Sequence, residues 1–220
     1  MTRRHLDIIL ATGGAVFALL ILGLGLVAFN QANYAKDYVK TELSAQKITF
    51  TPADKLDNET KSWKSGSSCL VENGGKLLET GAQAECYANY YIALHLDQAA
   101  TKAGYPGATY ATIGDVQTDL RNQIAAAKQA NDPKAADLQK QLDSVTALRE
   151  TQFKGESLRG MLLTSYGFSI FGERAALAAY ILIGIAAVAA IVSVAGFIHA
   201  FMTPKDQRVF GGQFSPAPTR

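Results

Sequence analysis

Histidine is scarce in this sequence: the chain has three in 220 residues, and only His95 lies between the two long apolar segments described below. A non-haem iron site uses two histidines and a carboxylate, and a catalytic zinc site uses three protein ligands. The region around His95 cannot supply either set from its own chain. We therefore expect no metal site and no bound cofactor.

Cysteine is scarcer still. Cys69 and Cys86 are the only two, and they do not have the Cys-x-x-Cys spacing of zinc ribbons and thiol oxidoreductases. An isolated pair in an exported region predicts a disulfide, which contributes about 3 kcal/mol in the chain-entropy model. Two unrelated buried thiols are the alternative.

Recognisable catalytic motifs are missing as well. Ser67 and Ser68 have no nucleophile-elbow sequence around them, and no glycine-rich phosphate-binding loop opens a helix. Lysine and arginine form no dense block, so nucleic acid is not an expected partner. These absences predict a protein that is not an enzyme and has no catalytic residues.

Charged residues are absent from Ile8–Phe29 and from Ala175–Met202. At about 1.5 Å of rise per residue, the first segment makes a helix of roughly 33 Å, close to the thickness of a bilayer core. Helices of soluble proteins rarely stay apolar on every side over such a length. The pattern predicts two transmembrane helices, with two buried core helices as the alternative. Val27-Ala28-Phe29 is a poor cleavage site, so we expect the first segment to be retained.

Positive charges near both ends of the chain predict its orientation. Arg3 and Arg4 precede the first apolar segment, and Lys205 and Arg208 follow the second, so both termini are expected in the cytoplasm. The predicted protein lies in the plasma membrane, with a cytoplasmic N-terminus (1–7), transmembrane helices at 8–29 and 173–202, an extracytoplasmic domain (30–172) and a disordered cytoplasmic tail (203–220).

The extracytoplasmic region has a mainly helical pattern. Thr80 and Gln83 have the spacing of a capping box at the start of a helix over 80–103. Further helices are predicted at 31–48, which continues the first transmembrane helix, at 113–129, and from Asp132 onward; the last two form an antiparallel hairpin. The predicted fold class is mainly α: two transmembrane helices flank a helical bundle or hairpin domain, with a small β-hairpin joining Leu70-Val71 to Leu77-Leu78 as an option.

The segment 151–174 is the most distinctive part of the region. Between Arg159 and Glu173 it is apolar and aromatic, and it contains several glycines, which weaken a helix. Two interpretations stay open: an amphipathic elbow that leads into the membrane, or a docking surface for another membrane protein. The side chains predicted to dock are Phe153, Leu158, Met161, Leu162, Tyr166, Phe168 and Phe171.

Three ionisable residues lie near the predicted membrane boundary on the cytoplasmic side. His5 and Asp7 precede the first apolar segment, and His199 is near the end of the second, so Asp7 and His199 would meet if the two helices pack together. We assign them no proton or ligand role, because groups so close to the interface reach water easily. His95 is expected to be an ordinary packed or surface histidine.

Three stretches of sequence resemble a known family. They are Asn33–Val39 (NYAKDYV), Gln83–Leu96 (QAECYANYYIALHL) and Arg149–Ala175 (RETQFKGESLRGMLLTSYGFSIFGERA). With the two apolar segments around them, they resemble a family of actinobacterial two-span membrane proteins that includes a proposed association factor of the cytochrome bcc–aa3 respiratory supercomplex. The resemblance implies cytochrome bcc and aa3 oxidase subunits as partners. Some members are described as aromatic ring-opening dioxygenases, a description that the missing iron ligands contradict here.

Three functional hypotheses follow. The leading one is a non-catalytic accessory subunit or assembly factor of a larger membrane complex, in contact with the bilayer and with integral membrane proteins. The second is an extracytoplasmic sensor that signals through a separate partner, since the tail after Met202 is too short for an output domain. The third is a redox enzyme of the cell envelope. This chain lacks the reactive Cys-x-x-Cys pair that such an enzyme uses.

Overall fold

The computed structural model describes residues 2–205 and 207. The described part is mainly helical and contains no β-strand, in agreement with the predicted mainly α class. Its helices are α1 (Arg3–Ala45), α2 (Asn58–Ser62), α3 (Ser68–Glu72), α4 (Gly81–Cys86), the π-helix π1 (Tyr87–Ile92), α5 (Ala93–Lys102), α6 (Tyr110–Gln129) and α7 (Ala135–Met202). Two compact units result: a terminal unit of residues 1–34 and 171–220, and a central unit of residues 35–170.

In the terminal unit, the first part of α1 packs antiparallel to the last part of α7. Phe29 lies against Tyr180, with ring centroids 5.8 Å apart, whereas Gly14, earlier in α1, faces Ser193, later in α7. The backbones approach closely at Gly25, where an added Cβ would lie 3.3 Å from the backbone nitrogen of Ile183. Small residues at such crossings are typical of helix pairs in membranes.

Both helices are long and apolar enough to cross a membrane. Their most apolar windows are 17% and 11% buried, whereas the core helix of a soluble protein would be mostly buried. Large apolar side chains such as Leu10, Leu20 and Ile191 point outward. The two helices therefore fit membrane spans, while their orientation and the domain boundaries stay predictions. Of the predicted tail (203–220), residue 206 and residues 208–220 lie outside the described residues.

The centre of the central unit is the helical run α4–π1–α5, which begins with the predicted capping box. The Thr80 hydroxyl accepts from the Gln83 backbone N–H at 3.2 Å, and the Gln83 amide oxygen accepts from the Thr80 backbone N–H at 3.1 Å. The run ends before Gly104, whose φ of +87° favours glycine. Its inward side chains join a core of Val39, Leu43, Phe50, Leu56, Leu70, Leu78, Leu96 and Leu162.

A predicted β-hairpin is not formed. Leu70 and Val71 belong to the short helix α3, where Leu70 is buried and Val71 is exposed. The chain does turn at Gly75, but Leu77 then pairs with Thr49 in a single antiparallel bridge. The segment after α1, and not Leu70-Val71, lies next to Leu77, and Phe50 of this segment is buried in the core. The contact joins residues far apart in the sequence, so the local pattern does not predict it.

The predicted antiparallel hairpin is confirmed by the packing of α6 on the first turns of α7. A second core holds Ile113, Leu120, Val145 and Leu148. α6 begins three residues earlier than predicted, after a Thr109 cap. α7 begins at Ala135, and the Asp132 carboxylate accepts from the Lys134 backbone N–H at 2.9 Å in the preceding turn.

α7 continues without a break from the hairpin through residue 202. The backbone of 151–174 is helical throughout, and both interpretations of this segment, the amphipathic elbow and the docking surface, stay predictions. Glycine costs a helix about 1 kcal/mol relative to alanine, and packing offsets this cost at Gly155. A Cβ there would overlap the side chain of Leu96, so glycine is what lets α7 approach α5 this closely.

Candidate functional site

Most side chains predicted to dock are exposed on α7. Phe153, Leu158, Met161 and Phe168 are exposed in the central unit, and Phe171 is exposed in the terminal unit. Phe153, Met161 and Phe168 recur after eight and seven residues, about two helical turns each, so they follow one another along the helix. We call these three residues the α7 stripe.

Two of the predicted docking residues do not belong to this surface. Leu162 is 3% exposed and lies in the core of the central unit, next to Met161, which is 68% exposed. Tyr166 is half-buried, and its Cα would be 3.3 Å from a Cβ added at Gly81. Burial leaves Leu162 no surface for docking, since the prediction used apolar character without the phase of the helix, whereas docking through Tyr166 stays a prediction.

Glycines beside the α7 stripe leave room for a neighbour. A Cβ added at Gly160 or Gly167 would meet nothing within 4 Å, so neither glycine is explained by close packing inside the central unit. Small residues on a helix surface allow another helix to approach closely. The α7 stripe and these glycines lie on one side of α7, where Ser157 and the exposed Thr164 come between the three large apolar side chains.

The predicted disulfide is present. Cys69 of α3 and Cys86 of α4 are bonded, with their Cα atoms 6.1 Å apart, and Cys86 is buried. The bond ties the irregular segment before α4 to the central helical run. It lies inside the core rather than at an open cleft, so its position supports a structural role.

His95 is the last member of a series of packed aromatic rings. Its ring lies 4.3 Å from that of Tyr91, which stacks on Tyr87 at 4.7 Å, and Tyr87 meets Phe50 edge-on at 5.3 Å. Burial raises the pKa of Tyr87 to about 12, with a further contribution from Tyr91. Among the described residues, no group of three His, Cys, Asp or Glu side chains is placed to hold a metal ion.

Asp7 and His199 do meet in the terminal unit, as the antiparallel packing requires. Nε2 of His199 lies 3.8 Å from Oδ2 of Asp7, beside a cleft of about 310 Å³ that Gly14, Ser193 and Gly196 also line. Oδ2 is buried and has no hydrogen-bond partner among the described residues. A contact of 3.8 Å is a long ion pair and indicates no particular chemistry.

One polar cluster, around Gln117, was not predicted from the sequence. Gln117, on α6, is 3% exposed and is hydrogen-bonded to Thr146 and Arg149 of α7. The sequence contained a signal for the burial of Gln117, because this residue lies on the same face of α6 as the apolar residues Ile113, Leu120 and Ile124. A lone glutamine in an apolar stripe predicts a buried polar contact, though it does not identify the partner.

No family model, curated protein or solved structure matches this chain. The likeness to the actinobacterial two-span family therefore stays a prediction.

Proposed function

We propose that this protein is a non-catalytic accessory subunit or assembly factor of a larger bacterial membrane complex. The two apolar helices anchor it in the plasma membrane with both termini in the cytoplasm. The central unit lies on the extracytoplasmic side and contacts an apolar helix of an integral membrane protein through the α7 stripe.

The exposure of the α7 stripe is the observation that carries this proposal. Phe153, Met161 and Phe168 lie on a regular helix, yet each leaves more than half of its surface uncovered within the central unit. Large exposed apolar side chains on one side of an element are contact sites for a protein or for a membrane. The open space at Gly160 and Gly167 suits a helix as the covering element, because two helices can then pack at short distance.

The resemblance described above supplies a specific partner. If the chain is related to the proposed association factor, the complex is the cytochrome bcc–aa3 supercomplex, and the α7 stripe contacts cytochrome bcc or aa3 oxidase subunits. An accessory subunit needs no chemistry of its own, and the chain has only three histidines and two cysteines.

Purification from the native membrane tests the proposal. The tagged protein is solubilised in a mild detergent, captured, and examined by mass spectrometry and by its visible spectrum. We expect stoichiometric integral membrane subunits, with haem bands if the partner is the respiratory supercomplex. A monomer or homodimer without other subunits would refute the accessory role.

Paired variants connect the result to the α7 stripe. Met161→Ser and Phe168→Ser should reduce the captured subunits, because each places a hydroxyl in an apolar contact. Val71→Ser is the matched control, since Val71 is an exposed apolar side chain of the same unit on another helix. Equal recovery of partners with all three variants would place the contact elsewhere.

The second candidate function, an extracytoplasmic sensor, has one observation in its favour. A sensor needs a ligand site in the central unit, and the hairpin of α6 and α7 carries an open cleft of about 490 Å³ around Arg149. A clean monomer or homodimer in the purification would move this candidate to the front.

A further inference from the structure

The cleft on the α6–α7 hairpin has a polar floor and aromatic walls. It measures about 490 Å³ and lies wholly within the central unit. The side chains that matter for its chemistry are Tyr110, Gln117 and Arg121 from α6, and Arg149, Phe153 and Lys154 from α7.

A chain of hydrogen bonds sets the orientation of the floor. The Thr146 hydroxyl donates to the Leu142 carbonyl at 2.7 Å, so it must accept from the Gln117 amide nitrogen, also at 2.7 Å. The Gln117 amide oxygen is thereby turned toward Arg149, whose Nη1 donates to it at 2.7 Å. The buried amide thus selects and holds one position of the guanidinium group.

Two further contacts hold the guanidinium group flat against α6. Its Cζ lies 4.6 Å from the centre of the Tyr110 ring, within the range of cation–π attraction. One turn further along, a Cβ added at Gly114 would come within 3.1 Å of Nη2, so a larger residue would push the group aside. Arg149 is therefore ordered before any ligand arrives, which lowers the entropy lost on binding.

The donors of Arg149 are not used up by the protein. Nε is shielded from solvent, so a ligand in the cleft reaches the N–H groups of Nη1 and Nη2 instead. Gln117 is the one acceptor shown for Nη1, and none is shown for Nη2 among the described residues. Arginine presents a planar fork of N–H groups that matches the two oxygens of a carboxylate. An oxyanion is thus the group that this site is prepared to receive.

The surroundings favour an anion with an apolar body. Arg121 adds positive charge to the lining of the cleft, whereas its single carboxylate, Glu150, is paired with Lys154 at 3.4 Å, so these two charges offset each other. The rings of Phe153 and Tyr110 lie 5.4 Å apart, so they offer adjacent apolar faces next to the guanidinium group.

We propose that this cleft binds a small organic carboxylate. Arg149 receives the carboxylate, and Tyr110 and Phe153 contact the apolar body of the ligand. The proposal rests on the central unit alone and deepens the sensor candidate. It shares Phe153 with the α7 stripe, so it is tested on the purified chain without partners.

Titration of the full chain in detergent micelles tests the proposal. Sodium benzoate is the probe, with sodium acetate and inorganic phosphate as comparisons, and saturation-transfer NMR reports binding. We expect saturable binding of benzoate that is at least several-fold tighter than that of acetate, since acetate lacks the ring. Binding of phosphate without binding of benzoate, or no saturable binding of benzoate, would overturn the proposal.

Three variants locate the binding. Arg149→Lys keeps the charge but loses the fork, and should weaken benzoate roughly tenfold. Gly114→Ala should weaken it while leaving the thermal midpoint unchanged or higher, because alanine favours the helix. Lys128→Gln, which removes an exposed charge elsewhere on α6, should leave benzoate binding unaltered. Unchanged affinity in both Arg149→Lys and Gly114→Ala would show that benzoate binds elsewhere.

Discussion

Met161 and Leu162 are neighbours in sequence, but one side chain is exposed and the other is buried. Substitutions at these two positions therefore separate an effect on stability from an effect on docking. Leu162 is 3% exposed, in the core of the central unit, whereas Met161 is 68% exposed on the α7 stripe. Alanine at either position keeps the helix, because methionine, leucine and alanine are all good helix formers. The two substitutions therefore differ mainly in what the lost side chain touches.

The expected magnitudes follow from burial. Replacement of a buried leucine by alanine costs about 2–5 kcal/mol through lost transfer energy and the cavity left behind. A loss of about 3 kcal/mol lowers the Tm of a protein of this size by roughly 6–12 °C. Met161→Ala removes a side chain that is mostly in solvent, and should change stability by less than about 0.5 kcal/mol.

The assay is thermal unfolding of each variant in detergent, alongside recovery of partner subunits from the native membrane. We predict that Leu162→Ala lowers the Tm with the partner contact intact in the protein that remains folded. Met161→Ala should keep the Tm and lose partner subunits. A similar fall in Tm for the two variants would refute the assigned phase of α7, and full partner recovery with Met161→Ala would refute its role in docking.

Three further predictions concern other parts of the chain. Cys69→Ser should lower the free energy of unfolding by about 3 kcal/mol, measured by denaturant titration against the native chain under oxidising conditions. Gly25→Leu should lower the Tm in detergent by overpacking against Ile183, at a cost of about 1–3 kcal/mol, whereas Gly23→Leu, with nothing within 4 Å of an added Cβ, should not. Tyr87 should ionise near pH 12 rather than 10, as followed by tyrosinate absorbance. Because its pKa is raised in the folded state, stability should begin to fall above about pH 10, where the unfolded chain loses that proton first; ionisation of every tyrosine near pH 10 in the folded chain would contradict this.

Local signals in the sequence predicted much of the fold. The capping box at Thr80 and Gln83 and the apolar spacing of the α6–α7 hairpin depend on neighbours within one or two helical turns, so the sequence contains them directly. The two apolar helices were predictable for the same reason. The disulfide followed from there being only two cysteines.

Features that depend on distant neighbours were not predictable in this way. The pairing of Thr49 with Leu77 accompanies the burial of Phe50, and the close contact of α7 with α5 depends on Leu96 lying against Gly155. The π-helix at Tyr87–Ile92 has no signal of its own in the sequence.

In the candidate sites, too, local features were predictable from the sequence and long-range contacts were not. Apolar character identified most of the exposed side chains of α7, but the phase that buries Leu162 requires knowledge of which face meets the core. The hydrogen bonds of Gln117 with Thr146 and Arg149 join residues about thirty positions apart. The one local signal for them was a glutamine within the apolar stripe of α6.

Site-specific photo-crosslinking in the native membrane tests the central claim most directly. A photoreactive amino acid is placed at Met161 or Phe168, with Val71 as the control position, and the products are identified by mass spectrometry. We predict crosslinks from positions 161 and 168 to the same integral membrane protein, and none from position 71. Crosslinks from 161 and 168 to lipid alone, or an identical pattern from all three positions, would contradict a docking role for the α7 stripe.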